Sequence, residues 1–203
     1  GGGGSVAGPS KEKKGYGGDP VFARSRFKSV AQTLKEVPVV SAALGPVAGL
    51  PASRFVGSHF RIMVKDNAQI LVAGPAVVSR AFGKDFTKEE LGGSDVHKKN
   101  GVTDNIADSE EDAFNQIKKF LSFFPANIYE LPPKKDSKDE IDRSEKILEE
   151  IIPKDRKKTY EMREIINLVV DDKDFFEISN FFGRGIITGF ARLNGFSVGI
   201  FAN

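Results

Sequence analysis

The sequence predicts an α/β fold, on three observations. A short apolar run, Val39 to Leu44, opens on β-branched residues and has the length of a buried strand. Before it, Phe27, Val30, Ala31 and Leu34 recur at helical spacing. After it come the small residues Gly45-Pro46 and Ala48-Gly49, and then Pro51, where a helix can begin because proline suits the first helical turn. Helix, strand and helix in succession form the α/β pattern.

Composition narrows the function. The chain has 203 residues, enough for one good core or two small ones. Its 30 basic and 28 acidic residues leave +2, without the basic excess that would point to nucleic acid. There is no cysteine, so disulfides, thiolate catalysis and thiolate metal sites are excluded. With only His59 and His97, no metal site is expected. No apolar run approaches the roughly 20 residues that cross a bilayer. No signal peptide is seen. A soluble, intracellular protein is expected, without membrane or nucleic-acid partner. The start at Gly1 without Met, and the final apolar run to Phe201-Ala202-Asn203, are read as a piece of a longer protein.

In chain order, Gly1 to Gly18 is rich in Gly, Lys and Ser, which fits a flexible linker or a Gly-rich loop lining a ligand. Asp19-Pro20 can start the first helix, ending near Val37. Phe60–Lys65 and Gln69–Ala73 read as strands, with the turn Asp66-Asn67 between them. Gly74-Pro75 then opens a short helix to Phe82. Lys88–Leu91 is one helical turn stopped by Gly92-Gly93, and His97 falls in a polar loop. The acids Asp104, Asp108 and Glu110 read as solvated loop charges. Ser109–Phe124 is the clearest helix, with Ser109 as cap, Asp112 placed as in a capping box, and an apolar stripe through Phe114, Ile117, Phe120, Leu121 and Phe124. Residues 134–145 are almost all charged or Ser and read as a polar linker. Beyond it, Ile147–Ile152 and Met162–Val170 read as helices, and Asp171-Asp172 ends the second. Phe175–Ile178 begins a strand. Ile186–Arg192 and Phe196–Phe201 flank Asn194-Gly195, a strong hairpin signal. Phe123-Phe124 and Phe181-Phe182 are expected to make buried contacts, within the chain or between subunits.

The turn after the first strand is the place where chemistry is expected. A chain that leaves a strand, turns over glycine and enters a helix aims the N–H groups of Gly49 and Leu50 outward, where an oxyanion is stabilised without a titrating side chain. An ordinary strand-turn-helix explains the same residues. No Gly-x-Ser-x-Gly elbow and no Gly-Lys-Ser/Thr phosphate loop occurs, which argues against hydrolase and kinase readings.

Several blocks carry a resemblance: Glu90-Leu91-Gly92-Gly93-Ser94-Asp95-Val96-His97, Asn100-Gly101-Val102-Thr103-Asp104 and Glu110-Glu111-Asp112-Ala113. Phe60–Lys65, Ala73-Gly74-Pro75, Val169–Asp172, Phe175–Ile178 and Gly189–Gly195 continue it in order. From Phe22 onward the sequence resembles the carboxyltransferase (β) subunit of biotin-dependent acyl-CoA carboxylases, of the propionyl-CoA and methylcrotonoyl-CoA carboxylase type. The resemblance implies a crotonase-like fold of ββα spiral units in subunits about twice as long as this chain. It implies that 1–133 is the later part of the N-domain, 134–145 the linker between domains and 146–203 the start of the C-domain.

The resemblance also implies a function. A carboxyl group moves from carboxybiotin to the α-carbon of an acyl-CoA through an enolate. Its oxygen is held by the backbone of Gly49 and Leu50, and many family members have Gly-Gly where this chain has Gly49-Leu50. Gly2, Gly3, Gly4, Ala48, Gly74 and Pro75 are implied to line the substrate. The expected cofactor is biotin on a partner subunit or domain, with acyl-CoA as substrate and no metal in this chain. The expected partners are a biotin carboxylase or biotin carrier subunit and further carboxyltransferase subunits, in a hexamer. The compartment would be the mitochondrial matrix in a eukaryote and the cytoplasm in a bacterium. Two alternatives stay open: a non-catalytic assembly subunit of the same fold, and a biotin-dependent acyl-CoA decarboxylase.

Overall fold

The structure, a computed structural model, describes residues 26–140, 142–155 and 157–203. The Gly-rich stretch 1–18, with Gly2, Gly3 and Gly4, and the helix start at Asp19-Pro20 lie outside the described residues. The chain divides into two compact units, the first through Ala113 and the second Phe114–Asn203.

The first unit is built from two ββα units in tandem. Helix α1 (Arg26–Glu36) leads into β1 (Val40–Ala43), β2 (Pro46–Ala48) and α2 (Leu50–Val56). The pattern repeats as β3 (Phe60–Val64), β4 (Gln69–Leu71) and α3 (Pro75–Phe82). Each strand pairs with its counterpart in the other unit, not with its chain neighbour. β1 pairs parallel with β3, Val40 opposite Phe60, and β2 pairs parallel with β4, Ala48 opposite Leu71. β5 (Asn105–Ala107) adds to the outer side of β3. β3 is buried along nearly its whole length, as a parallel strand covered on both faces must be. The core joins Ala43, Ala52, Phe55, Met63, Ala68 and Ile70.

Two elements here differ from the sequence reading. β2 was expected to be only turn; it is three residues long and has no partner until β4 is in place. The predicted loop around His97 is instead a helix, α5 (Ser94–Asn100), which follows α4 (Lys88–Gly92) directly. Asp104 is also not a solvated charge. Its carboxylate accepts from the Arg61 amide at 2.8 Å, Nε at 2.9 Å and Nη2 at 2.6 Å, while its own amide donates to the Arg61 carbonyl at 2.9 Å.

Helix α6 (Glu110–Leu121) begins as predicted, with Ser109 Oγ accepting from the Asp112 amide at 3.1 Å. The Asp112 carboxylate returns to the Asp108 amide at 3.0 Å. In the second unit, α7 (Met162–Val169) packs on an antiparallel sheet of β6 (Phe176–Ile178), β7 (Ile187–Leu193) and β8 (Phe196–Ala202). The hairpin turn is two residues, Asn194 and Gly195, both at positive φ. Asp171 Oδ1 and Oδ2 accept from their amides at 3.0 and 2.7 Å. Phe123 and Phe190 stack with centroids 5.8 Å apart, and Arg192 lies over Phe123.

The residues of 134–145 are held by this second unit: Lys135 donates its amide to Gly195, and Arg143 Nη2 donates to the Val170 carbonyl at 2.9 Å. The predicted helix Ile147–Ile152 is only a 3-10 turn, Lys146–Glu149, which Pro153 and the polar flanks leave too short to extend. Phe123 is buried, and Phe181 and Phe182 are about half-exposed in this chain.

Candidate active site

Parallel pairing of β2 with β4 sets their carboxyl ends side by side, so α2 and α3 leave from the same edge of this small sheet. Both helices open on glycine as N-cap with proline in the first turn, Gly49 before Leu50-Pro51 and Gly74 before Pro75. Gly49 takes φ 67°, ψ −134°. An L side chain rarely adopts that conformation, and holding one there costs on the order of 1–3 kcal/mol. A Cβ at Gly49 would meet open space, so the backbone angle alone reserves the position for glycine.

The Gly49 amide donates to the Leu71 carbonyl at 3.3 Å, extending the β2–β4 ladder by one bond. The Ser53 amide donates to the Gly49 carbonyl at 3.2 Å and closes the first helical turn. Leu50 then stands at the open end of α2, where an N–H has no acceptor within the helix. The two amides expected to act together are thus placed differently: Gly49 in the ladder, Leu50 at the helix start. Ala48 ends β2, half-buried, and Gly74 and Pro75 are the N-cap and first residue of α3.

Beside the turn lies a pocket of about 490 Å³. Gly49, Ala52, Ser53 and Val56 line it from the α2 side, and Ile70, Leu71 and Val72 from β4 and its end. His97 and Val102 complete it. Among the described residues no charged side chain lines it. His97 is buried, its Nε2 2.8 Å from the Ile70 carbonyl and its Nδ1 3.3 Å from Asn100 Nδ2. An amide nitrogen only donates, so Nδ1 is the acceptor and Nε2–H donates to Ile70. Both ring nitrogens are engaged, and the imidazole is a structural link between α5 and β4.

That link needs close approach. Gly92 packs so tightly on β4 that a Cβ there would fall inside the Ile70 carbonyl oxygen, and Gly93 bridges to Gln69. The glycine pair of Glu90-Leu91-Gly92-Gly93 is therefore a packing requirement. Thr87 caps α4: its Oγ1 accepts from the Glu90 amide at 3.2 Å while the Glu90 carboxylate accepts from the Thr87 amide at 2.8 Å. The bond from the Thr87 amide, then that from its hydroxyl, holds the Glu90 carboxyl below the usual glutamate range. Lys98 does the same for Asp95.

Val72, His97 and Val102 were not singled out as pocket residues in the sequence. They reach Gly49 only through the long-range β2–β4 register and the packing of α5, which no local pattern reports. Among the described residues no group of three or more His, Cys, Asp and Glu is placed to hold a metal ion. Nor is any described helix long and apolar enough to cross a membrane.

Comparison with known proteins bears on the family and the fold. Residues 18–203 match the carboxyl transferase domain. The chain is 38% identical over 178 residues to the propionyl-CoA carboxylase carboxyltransferase subunit of Haloferax mediterranei, covering 87% of this chain and 34% of that one. It is 36% identical over 168 residues to the methylmalonyl-CoA decarboxylase subunit alpha of Veillonella parvula, covering 82% of this chain and 33% of that one. Among solved structures it superposes on the transcarboxylase 12S hexamer, determined with hydrolysed methylmalonyl-coenzyme A bound, with a TM-score of 0.82 and 33% identity over 87% of this chain and 35% of that one. The chain spans about a third of the length of these relatives, less than the half expected. The crotonase-like α/β fold stands, with two ββα units in series. The chain belongs to the carboxyl transferase domain family.

Proposed function

We propose that this chain is part of the carboxyltransferase subunit of a biotin-dependent acyl-CoA carboxylase, and that it holds the thioester enolate. The observation that carries this reading is the Ala48-Gly49-Leu50 turn, a Gly-only conformation at the exit of β2 that presents the start of α2. Loss of the α-proton from an acyl-CoA moves negative charge onto the thioester oxygen. A backbone N–H at the turn meets that charge as it develops and needs no protonation change of its own. The Leu50 amide is the donor at the open helix end, and Gly49 sets its direction through the bond to Leu71. Carboxybiotin, carried by a partner subunit or domain, supplies the carboxyl group that the α-carbon takes. The Leu50 side chain, where many family members have glycine, narrows the approach.

In this reading Ala48, Gly74 and Pro75 line the substrate, with Gly2, Gly3 and Gly4 from the Gly-rich stretch. Residues 134–145 are the junction between family domains; their described members hold no helix or strand, which supports it. The subunit assembles with copies of itself, as the hexameric 12S relative does, and with a biotin carboxylase or carrier. It works in solution, in the mitochondrial matrix or the bacterial cytoplasm.

The test is carboxylation by the full subunit with its biotin partner, followed as labelled bicarbonate entering acyl-CoA. Gly49→Val is expected to abolish turnover while assembly, read by light scattering, is kept. Unchanged turnover overturns the role of the turn. The similarity to a methylmalonyl-CoA decarboxylase subunit favours a second reading, the same chemistry run toward biotin. Sodium-dependent, membrane-linked loss of CO₂ from a malonyl-type thioester distinguishes it.

A further inference from the structure

The pocket beside Gly49 has a floor and a rim. Ala52, Ile70, Leu71 and His97 are buried and form the floor, while Val56 is about half-exposed and Val72 is 96% exposed. We infer that this pocket takes the alkyl chain of the thioester, that the preferred substrate is an acyl-CoA longer than propionyl, and that Val56 and Val72 set its length. The inference rests on the proposed carboxyltransferase function and extends it to the substrate class.

Three observations carry it. First, Gly49 belongs both to the turn and to the pocket wall. The alkyl chain is tethered to the very carbonyl whose oxygen lies at the turn, so it is the part of the substrate within reach. Second, the lining suits hydrocarbon. Among the described residues it holds no charge, and both nitrogens of its imidazole are already bonded within the protein. The phosphates of CoA need cations, and among the described residues this wall offers none. Third, its volume of about 490 Å³ falls in the range of small-ligand pockets, roughly 300–1,000 Å³. That is far more than the ethyl group of propionyl-CoA requires.

Each further methylene buried there is worth roughly a fourfold gain in affinity. The kcat/KM of the wild-type subunit is therefore expected to rise from acetyl- through propionyl- to hexanoyl-CoA. Val56→Phe and Val72→Phe, which block the rim, are expected to lower the hexanoyl-to-propionyl ratio of kcat/KM roughly tenfold. Both positions face solvent, so neither change disturbs the core. Phe82→Ser, an exposed residue outside the pocket, serves as control and leaves the ratio as it is. A wild-type subunit that prefers acetyl or propionyl over hexanoyl, or rim variants with an unaltered ratio, overturns the inference. A subunit that carboxylates none of the three thioesters overturns the proposed function instead. Calorimetry with hexanoyl-CoA against free CoA then decides the pocket: tighter binding of hexanoyl-CoA, lost in Val72→Phe, upholds it, and equal binding of the two overturns it.

Discussion

Gly49 donates its amide hydrogen to the carbonyl oxygen of Leu71, 3.3 Å away. Strand β4 therefore fixes the turn, and the next amide, that of Leu50, is the one left at the helix start. Leu50→Pro deletes that N–H at a position where proline fits the helix. In the full subunit kcat is expected to fall by about 10²–10³, the usual cost of losing one oxyanion donor. The melting temperature should change little. An equal loss of both would mean that the amide acts on folding and not on the reaction.

Gly92 packs directly on the Ile70 carbonyl. Gly92→Ala has no room, since the obstacle is backbone and not the end of a flexible side chain. A loss of about 1–3 kcal/mol or more is expected, as for other overpacked sites. A guanidinium midpoint unchanged from wild type would show that α4 moves off β4 freely.

Arg61 and Asp104 tie β3 to the entry of β5, with side chains mostly shielded from water. Asp104→Ala leaves the guanidinium without its acceptor, and a loss of about 3–5 kcal/mol is expected. Arg61→Lys keeps the charge but not the fork, and should fall between the two. Denaturant unfolding of the single variants and of the double variant separates the pair from its parts.

Glu90 titrates below the ordinary glutamate range because Thr87 donates to it. A depressed folded-state value means that the contribution to stability is present above the ordinary glutamate pKa. It is lost as pH falls through the lowered value. Thr87→Ala keeps the amide donor and removes only the hydroxyl, so it should move the Glu90 titration part of the way back up, read by carboxyl ¹³C shifts. An unmoved titration would show that the hydroxyl contributes nothing and the amide alone holds the carboxyl low.

Much of this was legible in the sequence. Pro75–Phe82, Asn194-Gly195 and the cap at Ser109 carry their own local signals, and the structure places each where the sequence did. The turn at Gly49 was legible as well, because proline and glycine mark the start of a helix. β2 was not, since three residues beginning with proline have no periodicity and exist as a strand only against β4. His97 looked like a loop residue because Ser94–Asn100 is polar on its face. Its burial comes from two glycines that bring α5 down onto β4. Asp104 likewise seemed solvated until Arg61, distant in sequence, came beside it. The pocket was invisible for the same reason: its walls are far apart along the chain.

The interleaved pairing has a consequence in time. During synthesis, a ribosome that has released the chain as far as Val56 has made every residue of the Gly49 turn, yet has made no partner for β1 or β2. The turn is complete as sequence and absent as shape. Its bond to β4 forms only when Leu71 emerges and offers its carbonyl, so the corner of the first ββα unit is finished by the birth of the second.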